Sequence, residues 1–340
     1  MEPQVNRCLY LDAQHRLTLR MEPIPEPKPG EVLVRILANG ICGSDLHFYQ
    51  QGSLGHFVVE KPYIPGHEAS GRIAALGPNV KGRTTGEAVV IEPGIPCGHC
   101  VWCRRGRYNL CPDVIFLSAP PINGTFCDYL AVRAEAVWPI PDGLSFETAA
   151  LAEPAAVAVH AIKRARFEPG ASAWIIGAGP IGLMVIQAFK AAGGGLVYYS
   201  EQRQSRQRAA ASLGALPWDG DGSIQVDVAF DTSGSADACA RLFDVVKPGG
   251  CAVQVGWPSK NQVVLDIATM IDKELDYVAV NRYANAFPAA LQWLADGRIR
   301  TDQMVTHHFK FNEVAEAFRF TATHPEKVIK TVVTNDLEKA

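Results

Sequence analysis

The chain has 340 residues, which suits two domains better than one hydrophobic core. Its 32 Lys and Arg residues against 35 Asp and Glu residues give a formal charge of -3, which argues against nucleic acid or an anionic membrane as a partner. The first seven residues lack the apolar stretch of a secretory signal, and the chain has no run of about 18 apolar residues that could span a bilayer. Four of the nine cysteines lie close together within residues 97–111, which is typical of metal ligands or reactive thiols and not of disulfides. We therefore expect a cytoplasmic protein with reduced thiols.

The first part of the chain, residues 1–150, is predicted to be rich in β-strands and turns. Residues 31–38 carry the β-branched side chains and the partial alternation that are typical of a strand. Four prolines within residues 21–29 exclude a helix or a central strand there. We therefore expect a small β-barrel or β-sandwich with long functional loops.

Near residue 150 the pattern changes to alternating helices and strands. Predicted helices cover residues 148–165, 181–192 and 236–246, and predicted strands cover residues 173–176, 196–199, 226–231 and 251–256. This alternation indicates a parallel sheet with crossover helices. From residue 281 the pattern is mixed, with helices expected at residues 287–295 and 312–321, and this tail is expected to return to the first region.

A glycine-rich segment follows the first of these strands and opens a helix. It reads Gly177-Ala178-Gly179-Pro180-Ile181-Gly182 and matches the GxGxxG pattern of dinucleotide sites. The glycines permit a tight turn, a close approach to a pyrophosphate and close helix–strand packing, and proline suits a first helical turn. Glu201, after the next strand, can accept hydrogen bonds from ribose hydroxyls, which favours NAD over NADP. Arg203 and Arg206 leave NADP open, since arginine can hold a 2′-phosphate.

Four cysteines close together in the chain predict a metal site. Their spacing, Cys97-x2-Cys100-x2-Cys103-x7-Cys111, suits a tetrahedral zinc ion with a structural role. An iron–sulfur cluster is the alternative, because a CxxCxxC run followed by Cys-Pro also occurs in ferredoxins. The longer last spacing favours zinc. We interpret His99, inside the run, as a bystander.

A second metal site is predicted from three short fragments that carry other ligand types. They are residues 42–47 (Cys-Gly-Ser-Asp-Leu-His), residues 66–68 (Gly-His-Glu) and residues 153–154 (Glu-Pro). Each is weak alone, because a buried cysteine usually belongs to the core. A chain that binds a dinucleotide also needs a group that handles the proton and the oxyanion of its substrate. A zinc ion with three protein ligands and one open position can do so.

With these fragments in order, the chain resembles the zinc-containing medium-chain dehydrogenases, and within them the polyol branch of sorbitol, xylitol and arabinitol dehydrogenases. The resemblance is carried by residues 42–47, 66–71, 91–94, 106–110, 153–154, 177–182 and 281–283. It implies an α/β fold class, with a Rossmann doubly wound parallel sheet in residues 156–280 and a GroES-like β domain built from residues 1–155 and 281–340. It also implies a homotetramer, with a dimer as the alternative.

The same resemblance implies roles at a catalytic zinc ion. Cys42 and His67 would be its ligands. Glu68 and Glu153 would share the remaining protein role, one directly and the other through water. Asp45 would accept a hydrogen bond from the His67 ring and so orient it.

Further residues take roles from the resemblance. The expected relay carries the alcohol's proton through the cofactor ribose to solvent, and Ser44 and His47 belong to it. The expected cofactor contacts are Gly177, Gly179, Pro180, Ile181, Gly182, Glu201, Arg206, Val255, Gly256 and Val280. The expected substrate contacts are Phe48, Phe116, Arg282 and Tyr283.

The activity that the resemblance implies is oxidation of a secondary alcohol of a polyol, such as sorbitol or xylitol, to a ketose, with hydride transfer to NAD. A zinc dehydrogenase for a primary alcohol, threonine or a cyclitol is the nearest alternative. A zinc-ribbon module that binds nucleic acid is another, supported by Arg104, Arg105 and Arg107 and opposed by the acidic chain as a whole. The last alternative is a redox sensor that binds NADH but does not turn over a substrate.

Three departures from the family pattern bear on these expectations. Phe48 stands where the polyol enzymes often carry tyrosine, which removes a hydroxyl that could contact the substrate. The segment 216–226 is short and predicts a lost or clipped crossover helix. Residues 86–89 read Gly-Glu-Ala-Val instead of Gly-Asp-Arg-Val, which we interpret as a surface change.

Overall fold

The computed structural model describes residues 5–219, 221–258 and 262–335, and the chain folds as two compact units. The first comprises Met1–Glu153 with Val305–Ala340, and the second comprises Pro154–Met304. The chain therefore returns to the first unit at residue 305, and not at residue 281 as expected. The Gln187 side chain gives a physical reason, because it bonds the N–H and the C=O of Arg300 at 2.8 and 3.2 Å and so fastens this stretch to the second unit.

Strands dominate the first part of the chain, as the sequence predicts. Its helices and strands in chain order are β1 (Val5–Leu11), β2 (Leu17–Pro23), β3 (Glu31–Gly40), α1 (Gly43–Gln51), β4 (Ser53–Leu54), β5 (Phe57–Val58), β6 (Glu68–Leu76), β7 (Ala88–Ile91), β8 (Gly94–Ile95), α2 (Val101–Arg104), β9 (Ile115–Phe116), β10 (Tyr129–Arg133), β11 (Val137–Pro139) and α3 (Phe146–Ala150). Short 3-10 turns lie at Tyr108–Leu110 and Ala134–Ala136.

The later part alternates helices with strands before the chain returns to the first unit. Its elements are α4 (Ala152–Ala165), β12 (Ala173–Ile176), α5 (Pro180–Ala191), β13 (Val197–Ser200), α6 (Gln204–Ser212), β14 (Leu216–Pro217), β15 (Val226–Asp231), α7 (Ala236–Arg241), β16 (Val246–Gln254), α8 (Ile267–Asp272), β17 (Asp276–Ala279), α9 (Phe287–Ala295), β18 (Val305–Lys310), α10 (Val314–Thr323) and β19 (Lys330–Thr334). In the described part of the chain, no helix is both long and apolar enough to cross a lipid bilayer.

A seven-stranded sheet forms the centre of the first unit. Its order is β11-β7-β6-β3-β19-β18, with β10 also paired to β3. Strand β3 is apolar on both faces and is buried at nearly every position, because neighbouring strands and the core cover it. Gly40 at its end lies opposite Glu68 of β6 on one side and Val332 of β19 on the other. The end of β3 therefore brings three distant chain segments to one place.

All six strands of the second unit's sheet run parallel, in the order β14-β13-β12-β15-β16-β17. Numbered along the chain within this sheet, the order is 3-2-1-4-5-6, that of a doubly wound dinucleotide-binding sheet. The predicted α/β fold class is thereby confirmed. The strand order reverses between β12 and β15, and sheets of this kind bind ligands in the crevice beyond the carboxyl ends of such strands.

One predicted helix of this unit is shorter in the structure, and one crossover helix is absent from the described residues, as predicted. The helix expected at residues 236–246 ends at Arg241, because Leu242 and Phe243 turn into the core beside Trp174. The ammonium group of Lys273 donates to the carbonyls of residues 243, 244 and 246 and so stabilises the turn that follows the helix. Between β14 and β15, the described residues 218, 219 and 221–225 contain no helix, which confirms the predicted loss of a crossover helix.

Candidate metal and dinucleotide sites

The four clustered cysteines bring their sulfur atoms together on one loop. The Sγ atoms of Cys97, Cys100, Cys103 and Cys111 lie within 4.8 Å of one another. Cys103 Sγ is 3.9 Å from Cys97 Sγ and 3.4 Å from Cys100 Sγ, close to the about 3.8 Å expected between thiolates bound to tetrahedral zinc. Amide hydrogen bonds from His99 and Cys100 lower the pKa of the Cys97 thiol to about 6, which favours the thiolate. The donor set therefore fits a closed zinc site.

His99 stands outside this sulfur group. Its side chain is exposed, and its Nδ1 lies 2.9 Å from the carbonyl oxygen of Cys97. The imidazole therefore contacts the loop backbone, which agrees with its interpretation as a bystander.

A second donor group forms where helix α1 and strand β6 begin. Ligand atoms of Cys42, His67 and Glu68 lie within 4.8 Å of one another. Gly66 makes the turn into β6 with a φ of 95°, and a Cβ there would lie 2.5 Å from the Phe126 ring, so both the backbone and the space require glycine. A thiol, an imidazole and a carboxylate suit zinc and leave a fourth position open.

Asp45 fastens the two turns of this group to each other. Its buried carboxylate accepts hydrogen bonds from the N–H of Cys42 at 3.0 Å, the N–H of Gly66 at 3.1 Å and the hydroxyl of Ser118 at 2.9 Å. The expected hydrogen bond to His67 is absent among the described residues, because Asp45 Oδ1 lies 3.7 Å from His67 Nδ1. The carboxylate is already occupied by three closer donors, so it positions the backbone on both sides of the site.

The His67 imidazole is buried beside negative groups. Burial by itself lowers its pKa, but Cys42, Asp45 and Glu153 together raise it well above the ordinary value for histidine. Glu153, at the start of α4, is thus near enough to act on this ring, although it is not a member of the 4.8 Å group. Of the two glutamates that the sequence left open, the structure therefore brings Glu68 into the donor set.

Glu68 has a buried partner that sequence reasoning missed. Lys330 Nζ donates to Glu68 Oε1 at 2.6 Å and to the carbonyl of Ile41 at 3.0 Å. Burial alone would lower the pKa of this ammonium group, but the Glu68 carboxylate raises it. The signal was present in the sequence, since Lys330 stands between the apolar pairs at residues 328–329 and 332–333, where a lysine is unusual.

The remaining predicted residues of the first unit occupy different surroundings. Ser44 is half-buried and His47 is exposed, both on α1. The Phe116 ring lies against the His67 ring, with 5.7 Å between centroids. Phe48 packs in a core cluster, edge-on to Tyr63, and is only 4% exposed, so its predicted contact with substrate stays a prediction.

The glycine motif of the second unit forms the expected turn between β12 and α5. Gly177 has a φ of 89°, and a Cβ on Gly182 would lie 1.9 Å from the Gly177 carbonyl oxygen. Gly179 caps α5 without a side chain, and Pro180 occupies its first turn. Glu201, just beyond β13, accepts the N–H of Ala178 at 2.9 Å. The motif and the acid that the sequence linked to it are therefore adjacent.

Asp231, at the carboxyl end of β15, organises the opposite wall of this crevice and was missed in the sequence. Its buried carboxylate accepts the N–H of Ser233 at 2.8 Å and an amide N–H of Gln254 at 2.6 Å. Next to it, the Thr232 hydroxyl donates to the Gly177 carbonyl at 2.7 Å. An acid at a strand end followed by Thr-Ser-Gly was the available signal, because such carboxylates accept backbone N–H groups of a turn.

The other predicted contacts lie on elements around this crevice or after β17. The N–H groups of Val255 and Gly256 donate to the Asp231 carbonyl at 2.9 and 2.8 Å. The N–H of Val280 donates to the Gln254 carbonyl at 2.9 Å. Ile181 is half-buried on α5, and Arg206 lies on α6, with a guanidinium nitrogen 3.5 Å from the place of a Cβ on Gly179.

Arg282 and Tyr283 follow the last strand of the parallel sheet. Arg282 has a φ of 54°, and burial lowers the pKa of its guanidinium group. Tyr283 is 2% exposed and packs edge-on against Phe287, with 5.4 Å between ring centroids. The two side chains are held by the fold of the second unit.

Comparison with known proteins extends these observations along the whole chain. Residues 28–142 match the alcohol dehydrogenase GroES-like domain, and residues 146–334 match the glucose dehydrogenase C-terminus. The sorbitol dehydrogenase of Bacillus subtilis (strain 168) is 38% identical over 344 residues, which cover 97% of this chain and 98% of that protein. The D-xylulose reductase of Saccharomyces cerevisiae is 34% identical over 346 residues, covering 96% and 97%.

A solved structure agrees with this likeness. It is the crystal structure of ECK1772 from Escherichia coli, an oxidoreductase or dehydrogenase of unknown specificity involved in membrane biogenesis. It superposes with a TM-score of 0.92 at 32% identity and covers 98% of this chain and 100% of that one. Both the sequence and the fold are therefore similar from end to end.

Proposed function

Because the chain belongs to the zinc-containing medium-chain dehydrogenase family, in its polyol branch, we propose that it oxidises a secondary hydroxyl of a sugar alcohol to a ketone, with NAD as hydride acceptor. The observation that carries this proposal is the Cys42, His67 and Glu68 group, whose ligand atoms lie within 4.8 Å of one another. The names of the relatives, sorbitol dehydrogenase and D-xylulose reductase, support a sugar alcohol or its ketose as the substrate pair.

The metal ligands follow from the two donor groups. We assign Cys42, His67 and Glu68 to a catalytic zinc ion, with Glu153 as a nearby carboxylate that would act through water. Bound there, zinc supplies a Lewis acid that lowers the pKa of a hydroxyl group. The four sulfurs of residues 97–111 leave no open position, so we assign them to a second zinc ion with a structural role.

The proton of the alcohol needs a route to solvent. Ser44 and His47 stand three residues apart on α1, so they project from the same side of the helix. Ser44 is half-buried and His47 is exposed, a gradient that suits transfer from the substrate hydroxyl to the Ser44 hydroxyl and then through the His47 imidazole to water. Asp45, on the other side of the helix start, keeps this helix fixed to the turn at Gly66.

The glycine crevice is the proposed cofactor site. Gly177, Gly179 and Gly182 leave room for a pyrophosphate at the start of α5, where free N–H groups and the helix dipole favour negative charge. NAD is the carrier of the hydride in this chemistry. The Glu201 carboxylate would accept hydrogen bonds from the ribose hydroxyls and repel a 2′-phosphate, which supports NAD over NADP. Further contacts are assigned to Pro180, Ile181, Arg206, Val255, Gly256 and Val280.

Roles in substrate recognition are proposed for Phe48, Phe116, Arg282 and Tyr283. Arg282 and Tyr283 supply donors for several hydroxyl groups, and such polar groups reject a simple alcohol that would leave them unpaired. Phe116, against His67, would limit the pocket on the metal side, and Phe48 would act through the packing beneath α1. We also propose that the enzyme is cytoplasmic and that it assembles as a homotetramer.

A substrate panel tests this proposal. Purified protein is assayed for NADH or NADPH formation with D-sorbitol, xylitol, L-arabinitol, galactitol and ethanol, each with NAD+ and with NADP+. Turnover of a polyol with NAD+ and little turnover of ethanol is the expected result. Preference for ethanol, or an inactive zinc-loaded protein that still binds NADH, would overturn the proposed activity.

A further inference from the structure

Two cysteines far apart in sequence face each other in the core of the first unit. Cys8 lies on β1 and forms an isolated antiparallel bridge with Cys127. Each is 1% exposed, and both belong to one cluster of apolar side chains. Neither is one of the clustered cysteines or a member of the Cys42 group, so the proposed activity does not use them.

The hydrogen bonds around this bridge define its geometry. The N–H of Leu9 donates to the Phe126 carbonyl at 2.9 Å, and the N–H of Asp128 donates to the Arg7 carbonyl at 3.0 Å. The flanking residues therefore carry the ladder bonds, and Cys8 with Cys127 is a non-hydrogen-bonded pair. The Cα atoms of such a pair are about 4.5 Å apart, with their side chains close on the same side. Disulfides span Cα distances of about 4.4–6.8 Å.

The two thiols already interact. A hydrogen bond with the Cys8 thiol, together with burial, raises the pKa of Cys127 well above its usual value. The Cys127 thiol is therefore protonated near neutral pH, which slows its oxidation.

The segment that carries Cys127 also supports the proposed metal site. On its other edge, the N–H of Thr125 donates to the Gly66 carbonyl at 2.8 Å, and the N–H of Phe126 donates to the Pro65 carbonyl at 3.0 Å. The Phe126 ring fills the space beside Gly66. A covalent link from β1 to residue 127 would thus fasten the strand that lies behind His67.

We propose that Cys8 and Cys127 are a modification site at which hydrogen peroxide forms a cross-strand disulfide. One thiolate attacks the peroxide oxygen, giving a sulfenic acid and one molecule of water. The second thiol then displaces the sulfenic oxygen as another water, so that two thiols are oxidised while one peroxide is reduced. A dithiol reductant reverses the reaction. Because the Cα atoms already stand at bridging distance, the bond forms without rearrangement of Gly66 or His67.

Hydrogen peroxide on zinc-loaded protein is the probe. After treatment and denaturation, wild type is expected to lose two of its nine thiols, and peptide mapping without reductant is expected to find Cys8 joined to Cys127. The oxidised protein should unfold about 5 °C higher or more, since the link closes a long loop of the unfolded chain, and a dithiol should remove the shift. Cys127→Ala and Cys8→Ala should both lose these effects.

Cys251→Ala is the matched control, because it removes a buried thiol from the other unit and should leave the oxidation unchanged. Retention of all nine thiols in folded, peroxide-treated wild type would overturn the proposal, as would a linked peptide that joins other cysteines. Since the readouts are thiol count, linkage and unfolding temperature, they do not depend on which alcohol the enzyme oxidises.

Discussion

Lys330, at the start of β19, forms a buried ion pair with Glu68, at the start of β6. The Nζ–Oε1 distance is 2.6 Å, and the side chains are 3% and 1% exposed. The lysine also donates to the Ile41 carbonyl, one residue before Cys42. The orientation of a proposed zinc ligand is therefore set by a strand from the far end of the chain.

Replacing Lys330 should show how much this ion pair contributes to the stability of the fold. In metal-free protein, Lys330→Met removes the ammonium group that neutralises the buried Glu68 carboxylate, so the free energy of unfolding should fall by about 3–5 kcal/mol. Denaturation in urea measures it. Lys327→Met is the matched control, because that lysine is exposed on the same segment and its loss should change stability by less than about 0.5 kcal/mol. Equal losses in the two variants would contradict a special role for the buried pair.

The absence of a side chain at Gly40 should leave the room that the Glu68 carboxylate needs. In Gly40→Ala the new Cβ would fall 1.9 Å from Glu68 Oε2, so the carboxylate must move. We expect kcat/KM for the polyol to fall by roughly 10- to 100-fold, as when partners of metal ligands are changed. Gly43→Ala, at an exposed position with no atom within 4 Å, should keep wild-type kinetics. Unchanged kcat/KM in Gly40→Ala would argue against Glu68 as a ligand.

The charge on Glu201 should decide the cofactor. Glu201→Gln keeps an oxygen that can accept a hydrogen bond from the Ala178 N–H but removes the negative charge that we propose faces the ribose. We expect kcat/KM for NAD+ to fall roughly tenfold and that for NADP+ to rise, since a charged hydrogen bond and a phosphate repulsion are both lost. Steady-state kinetics with both cofactors measures the ratio, and the exposed Glu168→Gln serves as the control. If the ratio of kcat/KM for NAD+ to kcat/KM for NADP+ equals that of wild type, Glu201 does not contact the ribose.

Removing one sulfur should release one of two zinc ions. Metal analysis of Cys103→Ser is expected to find one zinc per chain, because three thiolates no longer close a tetrahedral site. His99→Ala, in the same loop but outside the sulfur group, should retain two. If both variants carry the wild-type amount, the loop does not hold zinc.

Local patterns accounted for most of the fold. The strand at 226–231 and the helix at 287–295 match β15 and α9 residue for residue, because each is short, apolar and bounded by turn residues. The helix expected at residues 236–246 was too long, since periodicity cannot tell an amphipathic helix from a segment that turns into the core at Leu242. Likewise, residues up to 304 stay with the second unit through contacts such as that between Gln187 and Arg300, which join distant residues and are not visible in a local pattern.

By itself the sequence determined the cysteine loop and the glycine motif, because their groups stand within a few residues of one another and can meet in almost any fold. Only the tertiary structure decided the composition of the Cys42 group. Its members come from the end of β3, the turn at Gly66 and the start of β6, and the backbone pairing of Gly40 with Glu68 brings them together. The same pairing buried Lys330 against Glu68 and gave Asp45 three donors closer than His67, because burial and distance are properties of packed strands and not of residue spacing.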